Sequence, residues 1–102
     1  MSAGIKEIMN NLSKLLENRV RLGIMSALMV NERLDFNSLK ELLDVTDGNL
    51  ASHLKALEKH ELIRVKKQFV GRKPNTNYML TNDGKKVFES HLDAIEQLMK
   101  RK

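Results

Sequence analysis

Cysteine is absent from these 102 residues, so neither a disulfide nor a thiolate metal centre can hold the chain together. That agrees with a reducing cytoplasm. Tryptophan is absent too, and three Phe and one Tyr are the only aromatics, so the core must be aliphatic. The longest apolar-looking run, Leu22 to Val30, is too short to cross a bilayer, which takes about 20 residues. The opening MSAGIKEIMNN lacks a basic segment followed by an apolar one, so no signal peptide is expected. A glycine-rich phosphate loop, an HExxH pair, a nucleophile elbow and a paired-carboxylate site are all missing. Ser52 and His53 are neighbours, so on a helix they point about 100° apart and cannot serve as nucleophile and base. No enzyme and no cofactor are expected. The length suits one domain over residues 1–102 with a single modest core.

What the chain does have is positive charge in one place. The net charge is +5, and residues 55–73 carry all of it. Lys55, Lys59, Arg64, Lys66, Lys67, Arg72 and Lys73 face only Glu58 and Glu61 there, while the flanking stretches nearly cancel. Such clustering marks a surface for a polyanion. A membrane is the poorer partner, because the segment lacks the Trp/Phe/Leu-rich face of interfacial helices.

The stretch TDGNLASHLKALEKHELI, Thr46 to Ile63, centres the reading. Thr46 or Asp47 can cap a helix whose Leu50, Leu54 and Leu57 recur at spacings of four and three on one face. Gly48, Ser52, Lys55 and Lys59 fall opposite, with Asn49 and Ala56 on the shoulder. That face is small, then polar, then basic. The DNA major groove is wide enough to admit it.

Upstream, Ile5, Ile8, Met9, Leu12, Leu15 and Leu16 predict a first helix over 4–17, and Val20 to Met29 a second over 19–30. Leu34–Phe36 suits a very short strand; Asn37 or Ser38 then caps a third helix, with Glu41 in capping-box position. The helix-turn-helix spans 37–60. Downstream, Ile63, Val65 and Phe69 alternate with Arg64, Lys66 and Gln68, with Lys67 interrupting the apolar side. VGRKPN, Val70 to Asn75, reads as a hairpin tip, and Thr76, Tyr78 and Leu80 as the return strand, giving a wing over 62–80. A last helix, 81–100, starts at Thr81 or Asn82 and carries Val87, Phe88, Leu92, Ile95, Leu98 and Met99 on its apolar side. The fold class is mainly α with a small β-hairpin (α+β): a winged helix-turn-helix.

Three stretches, NRVRLGIMSAL, FNSLKELLDVTDGNLASHLKALEKHELI and GRKPNTNYMLTNDGKKVF, together resemble winged-helix transcriptional regulators of the MarR/ArsR superfamily, from about Glu17 to Leu98. Such proteins often have glycine where this chain has Glu61. Either Glu61 takes a left-handed conformation or the junction is reshaped. The resemblance implies double-stranded DNA, with a pseudo-palindromic operator, as partner. By chemistry, Asn49, Ser52 and Lys55 suit base edges, Gly48 and Ala56 suit close approach, and Lys59, Lys66 and Lys67 suit phosphates. Arg72 and Lys73 suit an adjacent minor groove. His53 lies beside the leucine face, where it can pack or reach a phosphate.

His60 and His91 are expected at the surface. His91, Asp93 and Glu96 lie close together on the last helix, but their spacing is no recognised ligand set, so no metal is expected. Ile5, Ile8, Met9 and Leu12, with Phe88, Leu92, Ile95 and Met99, are expected to pack across a twofold axis. The reading is a cytoplasmic homodimeric regulator, a repressor rather than an activator because no further segment is seen to contact polymerase. The alternative is a winged-helix module that binds an acidic protein. An effector ligand cannot be read from the sequence.

Overall fold

A computed structural model describes residues 4–100; the ends of the domain expected over 1–102 lie outside that range. In order the elements are α1 (Ile5–Met9), a 3₁₀ turn (Lys14–Glu17), α2 (Arg19–Val30), β1 (Leu34–Asp35), α3 (Phe36–Leu43), α4 (Asp47–Lys59), β2 (Ile63–Val70), β3 (Lys73–Leu80) and α5 (Asn82–Lys100). This is the expected winged helix-turn-helix. The antiparallel sheet runs β1-β3-β2. Leu16, Ile24, Met25, Leu28, Leu39, Leu50, Leu54, Leu57, Leu62, Ile63 and Phe88 form one buried cluster. Apart from Phe88 it is aliphatic, as the shortage of aromatics requires.

The helix expected over 4–17 is broken. Asn11 and Leu12 bond back only three residues, to Ile8 and Met9, and Ser13 is extended at φ −88°, ψ 123°. The amide of Ser13 donates to His91 Nδ1 at 2.9 Å instead of to a helical carbonyl. Two asparagines, which favour non-helical backbone, precede that break. The turn drops Leu16 into the core.

Three further boundaries differ from expectation. The cap of α3 is Asp35, whose carboxylate accepts from the Ser38 amide at 2.7 Å, so the helix begins at Phe36 rather than after Asn37 or Ser38. The wing turn is only Gly71–Arg72, not Val70 to Asn75. Gly71 has φ +66° and Arg72 does not share the positive sign, the pattern of a two-residue II′ turn. Pro74 therefore lies inside β3, opposite Phe69. It is tolerated there because β1 reaches only to Asn77, leaving that part of β3 without a second neighbour.

The junction after α4 resolves the two alternatives for Glu61. Glu61 is left-handed, φ 60°. Its amide donates to the Glu58 carbonyl at 2.9 Å, and the Leu62 amide to the Leu57 carbonyl at 3.0 Å. These are the paired bonds of a Schellman helix end, with Leu57 and Leu62 both buried in the core beneath it. Thr81 closes the other side. Its amide donates to Leu62 O (3.1 Å), its hydroxyl donates to Glu61 O (2.7 Å), and its Oγ1 accepts from the Gly84 amide (2.9 Å). The first turn of α5 thus sits directly on the end of α4. A Cβ on Gly84 would lie 2.0 Å from Leu62 O.

Gly84→Ala is expected to destabilise the fold by about 3 kcal/mol, the scale of forced overpacking against an atom that cannot yield. Glu61→Gly should have the opposite sign, gaining about 1 kcal/mol as the left-handed strain is relieved. Urea unfolding of the two variants checks both signs; an unaffected Gly84→Ala midpoint would show that the junction is looser than drawn.

Candidate nucleic-acid interface

The turn that aims α4 is short and fixed. Asp44 is left-handed at φ 52°, with its amide on the Lys40 carbonyl at 2.9 Å. Thr46 caps α4, its hydroxyl accepting from the Asn49 amide at 3.2 Å. Lys40 Nζ reaches Asp47 at 2.7 Å across the turn, an exposed pair whose contribution to stability is small. Leu50, Leu54 and Leu57 bury one face of α4. Gly48, Asn49, Ser52, Lys55 and Lys59 are exposed, and Ala56 is half-buried on the shoulder.

The two flanks of α4 have different neighbours. On one flank, Ala51, Lys55 and Glu58 share a shallow cleft of 190 Å³ with Val65, Lys67 and Tyr78 of the wing. Lys55 and Lys67 therefore open onto the same space. On the other, His53 Nδ1 accepts from Arg21 Nη1 at 3.1 Å, while Arg21 Nε donates to the Leu15 carbonyl at 2.6 Å. His53 is thus tied to α2. Asn49 lines a hollow with Arg19, Val20 and Leu42.

Strand alternation divides the wing. Lys67 lies on the face of Ile63 and Val65, toward α4; Lys66 lies on the other with Arg64. Arg72 occupies the turn and Lys73 opens β3, both exposed. Among the described residues, none of Lys55, Lys59, Arg64, Lys66, Lys67, Arg72 and Lys73 has a carboxylate within 4.0 Å. This is a set of exposed, uncompensated cations on one helix and the hairpin beside it.

Sequence reasoning passed over several residues here. Ala51 sits four positions before Lys55, a spacing that places it on the same flank and could have found it. Tyr78 enters only through its pairing with Val65. Burial, then the charge of Glu58, raises the pKa of its phenol. Arg19 borders the same hollow as Asn49 although it lies far upstream in the chain.

His60 is exposed as expected, but His91, Ile8 and Phe88 correct the expectations made of them. His91 is buried, 3% exposed, rather than at the surface. It holds the Ser13 amide, while Asp93 and Glu96 stay exposed and Glu96 accepts from Lys100 at 2.6 Å. Ile8 and Phe88, expected at a dimer interface, are buried inside this chain. Ile5, Met9, Leu92 and Met99 remain exposed, and Leu12 and Ile95 are half-buried.

A helix-turn-helix with its outer face free, flanked by a basic two-stranded hairpin, defines the winged helix-turn-helix class of DNA-binding protein. Residues 20–99 match the model of the winged helix DNA-binding domain, and the chain belongs to that family. An uncharacterized protein of Methanocaldococcus jannaschii is 38% identical over 87 residues, covering 85% of this chain and 95% of the relative. The solved structure of a transcriptional regulator homologue from Pyrococcus horikoshii is 34% identical, with a TM-score of 0.82 over 93% of this chain and 92% of the other. BpsR of Bordetella bronchiseptica, whose DNA binding is regulated by 6-hydroxynicotinic acid, shares the fold alone: 14% identity, TM-score 0.72, over 94% of this chain and 72% of that one.

Both interior-facing histidines favour the neutral form. Burial lowers the pKa of His53 from 6.5, with the Arg21 charge acting the same way. Burial likewise lowers that of His91, with Glu17 partly opposing. The unfolded chain then binds more protons than the folded one just below pH 6.5, so stability should fall as the pH drops through that value. His53→Gln with His91→Gln should flatten the slope of unfolding free energy between pH 7 and pH 5 (a range about one unit either side of the ordinary histidine value). An unchanged slope would place the titration elsewhere.

Proposed function

We propose that the protein is a sequence-specific regulator of transcription that binds double-stranded DNA as a homodimer and acts as a repressor in the cytoplasm. The observation that carries this is the cleft shared by Lys55 and Lys67, with Lys59 exposed on the same helix, Arg72 and Lys73 exposed at the wing tip, and none of the five in an ion pair among the described residues. In this reading α4 enters the major groove. Asn49, Ser52 and Lys55 face base edges, with Gly48 and Ala51 allowing the helix to lie close. Lys59 and Lys67 meet phosphates, and Arg72 and Lys73 extend to the neighbouring minor groove. Lys66, on the face of the hairpin away from α4 and, unlike Lys73 on that face, set back from the tip, has the weakest claim among the expected contacts. His53 acts as a brace between α2 and α4 rather than as a reader of bases.

The homodimer rests on apolar side chains left in water. Leu92, Ile95 and Met99 follow one another at helical spacing along α5, and Ile5 and Met9 do so on α1, which packs beside α5. A second copy covering this face sets two α4 helices about one DNA turn apart, roughly 34 Å, on a two-fold symmetric site. Seated there, the dimer obstructs polymerase, which makes repression its mode of action.

Two measurements test this. Duplex affinity should fall steeply with salt, with a slope of about −0.9 in log–log form per phosphate neutralised. Lys55→Glu with Arg72→Glu should abolish binding while leaving the circular dichroism spectrum unchanged; retained, salt-insensitive binding would end the DNA reading. In light scattering at micromolar concentration the wild type should run as a dimer. Leu92→Glu with Met99→Glu should run as a folded monomer, and a wild-type monomer would remove the twofold arrangement.

A further inference from the structure

The wing tip carries an apolar side chain that neither the core nor the charge pattern explains. Phe69 is 74% exposed and Val70 61%, and the exposed Pro74 stands directly across from Phe69 on β3. Burying a phenyl ring contributes about 1.5–3 kcal/mol, and this ring forgoes that contribution within its own chain. Strand alternation places it on the face of Val65 and Lys67, the face that shares a cleft with α4. It lies two residues past Lys67, about 7 Å farther along the strand. Lys67 shares its face and Arg72 sits in the adjoining turn, while Lys73, paired with Val70, lies on the other face at the tip; no Asp or Glu occurs from Leu62 to Asn82. The turn is two residues long and the strands stay paired out to Val70 and Lys73, so the ring is mounted on regular structure rather than on a loose loop.

We propose that Phe69 is a wedge that enters between base pairs beside the site read by α4, unstacking one step and bending the duplex. This rests on the DNA-binding reading above and adds a chemically distinct contact to it. An apolar ring framed by cations suits a partner that offers phosphates outside and stacked aromatic bases within. Proteins that kink DNA from the minor groove use this pairing of wedge and surrounding positive charge. Lys67 and Arg72 would hold the backbone on either side of the opened step, while the fixed φ of Pro74 stiffens the strand behind the ring.

The bend can be read by energy transfer between dyes at the ends of an A·T-centred duplex of about 30 base pairs, or about three helical turns. Wild-type protein should shorten the end-to-end distance. Phe69→Ala should bind about tenfold more weakly, the order of one lost base–aromatic stack, and leave the duplex unbent. Because the chain has no tryptophan, Phe69→Trp supplies a single reporter. Its emission should be quenched and shielded from iodide on adding duplex, with the bend retained. An undiminished bend with Phe69→Ala, or a Phe69→Trp reporter still open to iodide in the complex, overturns the wedge and leaves the DNA reading standing. If Phe69→Ala alters only the light-scattering mass, the ring belongs to a protein contact and the wedge is likewise overturned. A wild type with no salt-dependent duplex binding overturns both readings.

Discussion

The structure depends on a knot of backbone where three elements meet. Leu62 donates its amide to the end of α4 and its carbonyl accepts from Thr81, at the point where β3 gives way to α5. The Thr81 hydroxyl holds Glu61 O on one side and the first turn of α5 on the other. Gly84 is the residue that lets these lie in contact. The left-handed Glu61 is the strained link, and the two Schellman bonds with the buried Leu57 and Leu62 offset that strain. Because the wing leaves this knot from one side and α5 from another, the direction of the hairpin relative to α4 is set here. Farther out the hairpin is tethered through β3, where Tyr78 and the buried Asn77 pair with β1, since beyond Val65 every β2 residue is exposed.

That fixed direction turns a charge excess into a surface. Positive side chains on separate elements would repel one another weakly and be screened within about 8–10 Å. Held in one cleft, as Lys55 and Lys67 are, two lysines against the single Glu58 leave a positive local potential that suits a polyanion. The flank of α4 away from the wing is treated in the opposite way. There a neutral histidine accepts from an arginine that is itself anchored on a carbonyl, so His53 and Arg21 are spent on positioning the helix. The same division recurs at the other end of the molecule. His91 is buried to hold the N-terminal segment, while the neighbouring Asp93 and Glu96 remain in solvent.

The order of helices and strands was legible because periodicity reports which side of an element is buried, and the leucines of α4 and the alternation of β2 do so clearly. The exposed face of α4 was legible for the same reason, since Gly48, Ser52, Lys55 and Lys59 are what remains once the leucines are placed. The break in the first helix was not, because the apolar stripe continues through it. Asn10 and Asn11 weaken the helix there, but the partner that takes the Ser13 amide, His91, lies far along the chain. Ile8 and Phe88 were misassigned for a related reason: periodicity shows that a residue seeks cover but not whether its own chain or a second copy supplies it.

From the sequence alone came the class of fold, the aliphatic character of the core and the location of the excess charge along the chain. Each of these is local, written in the spacing and type of neighbouring residues. Only the tertiary structure decided which cations share a cleft, that Glu61 adopts the left-handed turn, that His91 faces inward, and that Phe69 stands in solvent on the side of the hairpin toward α4. Those outcomes depend on contacts between residues distant in sequence. Such contacts form only when whole elements pack, and a linear pattern does not encode the angle at which they do so.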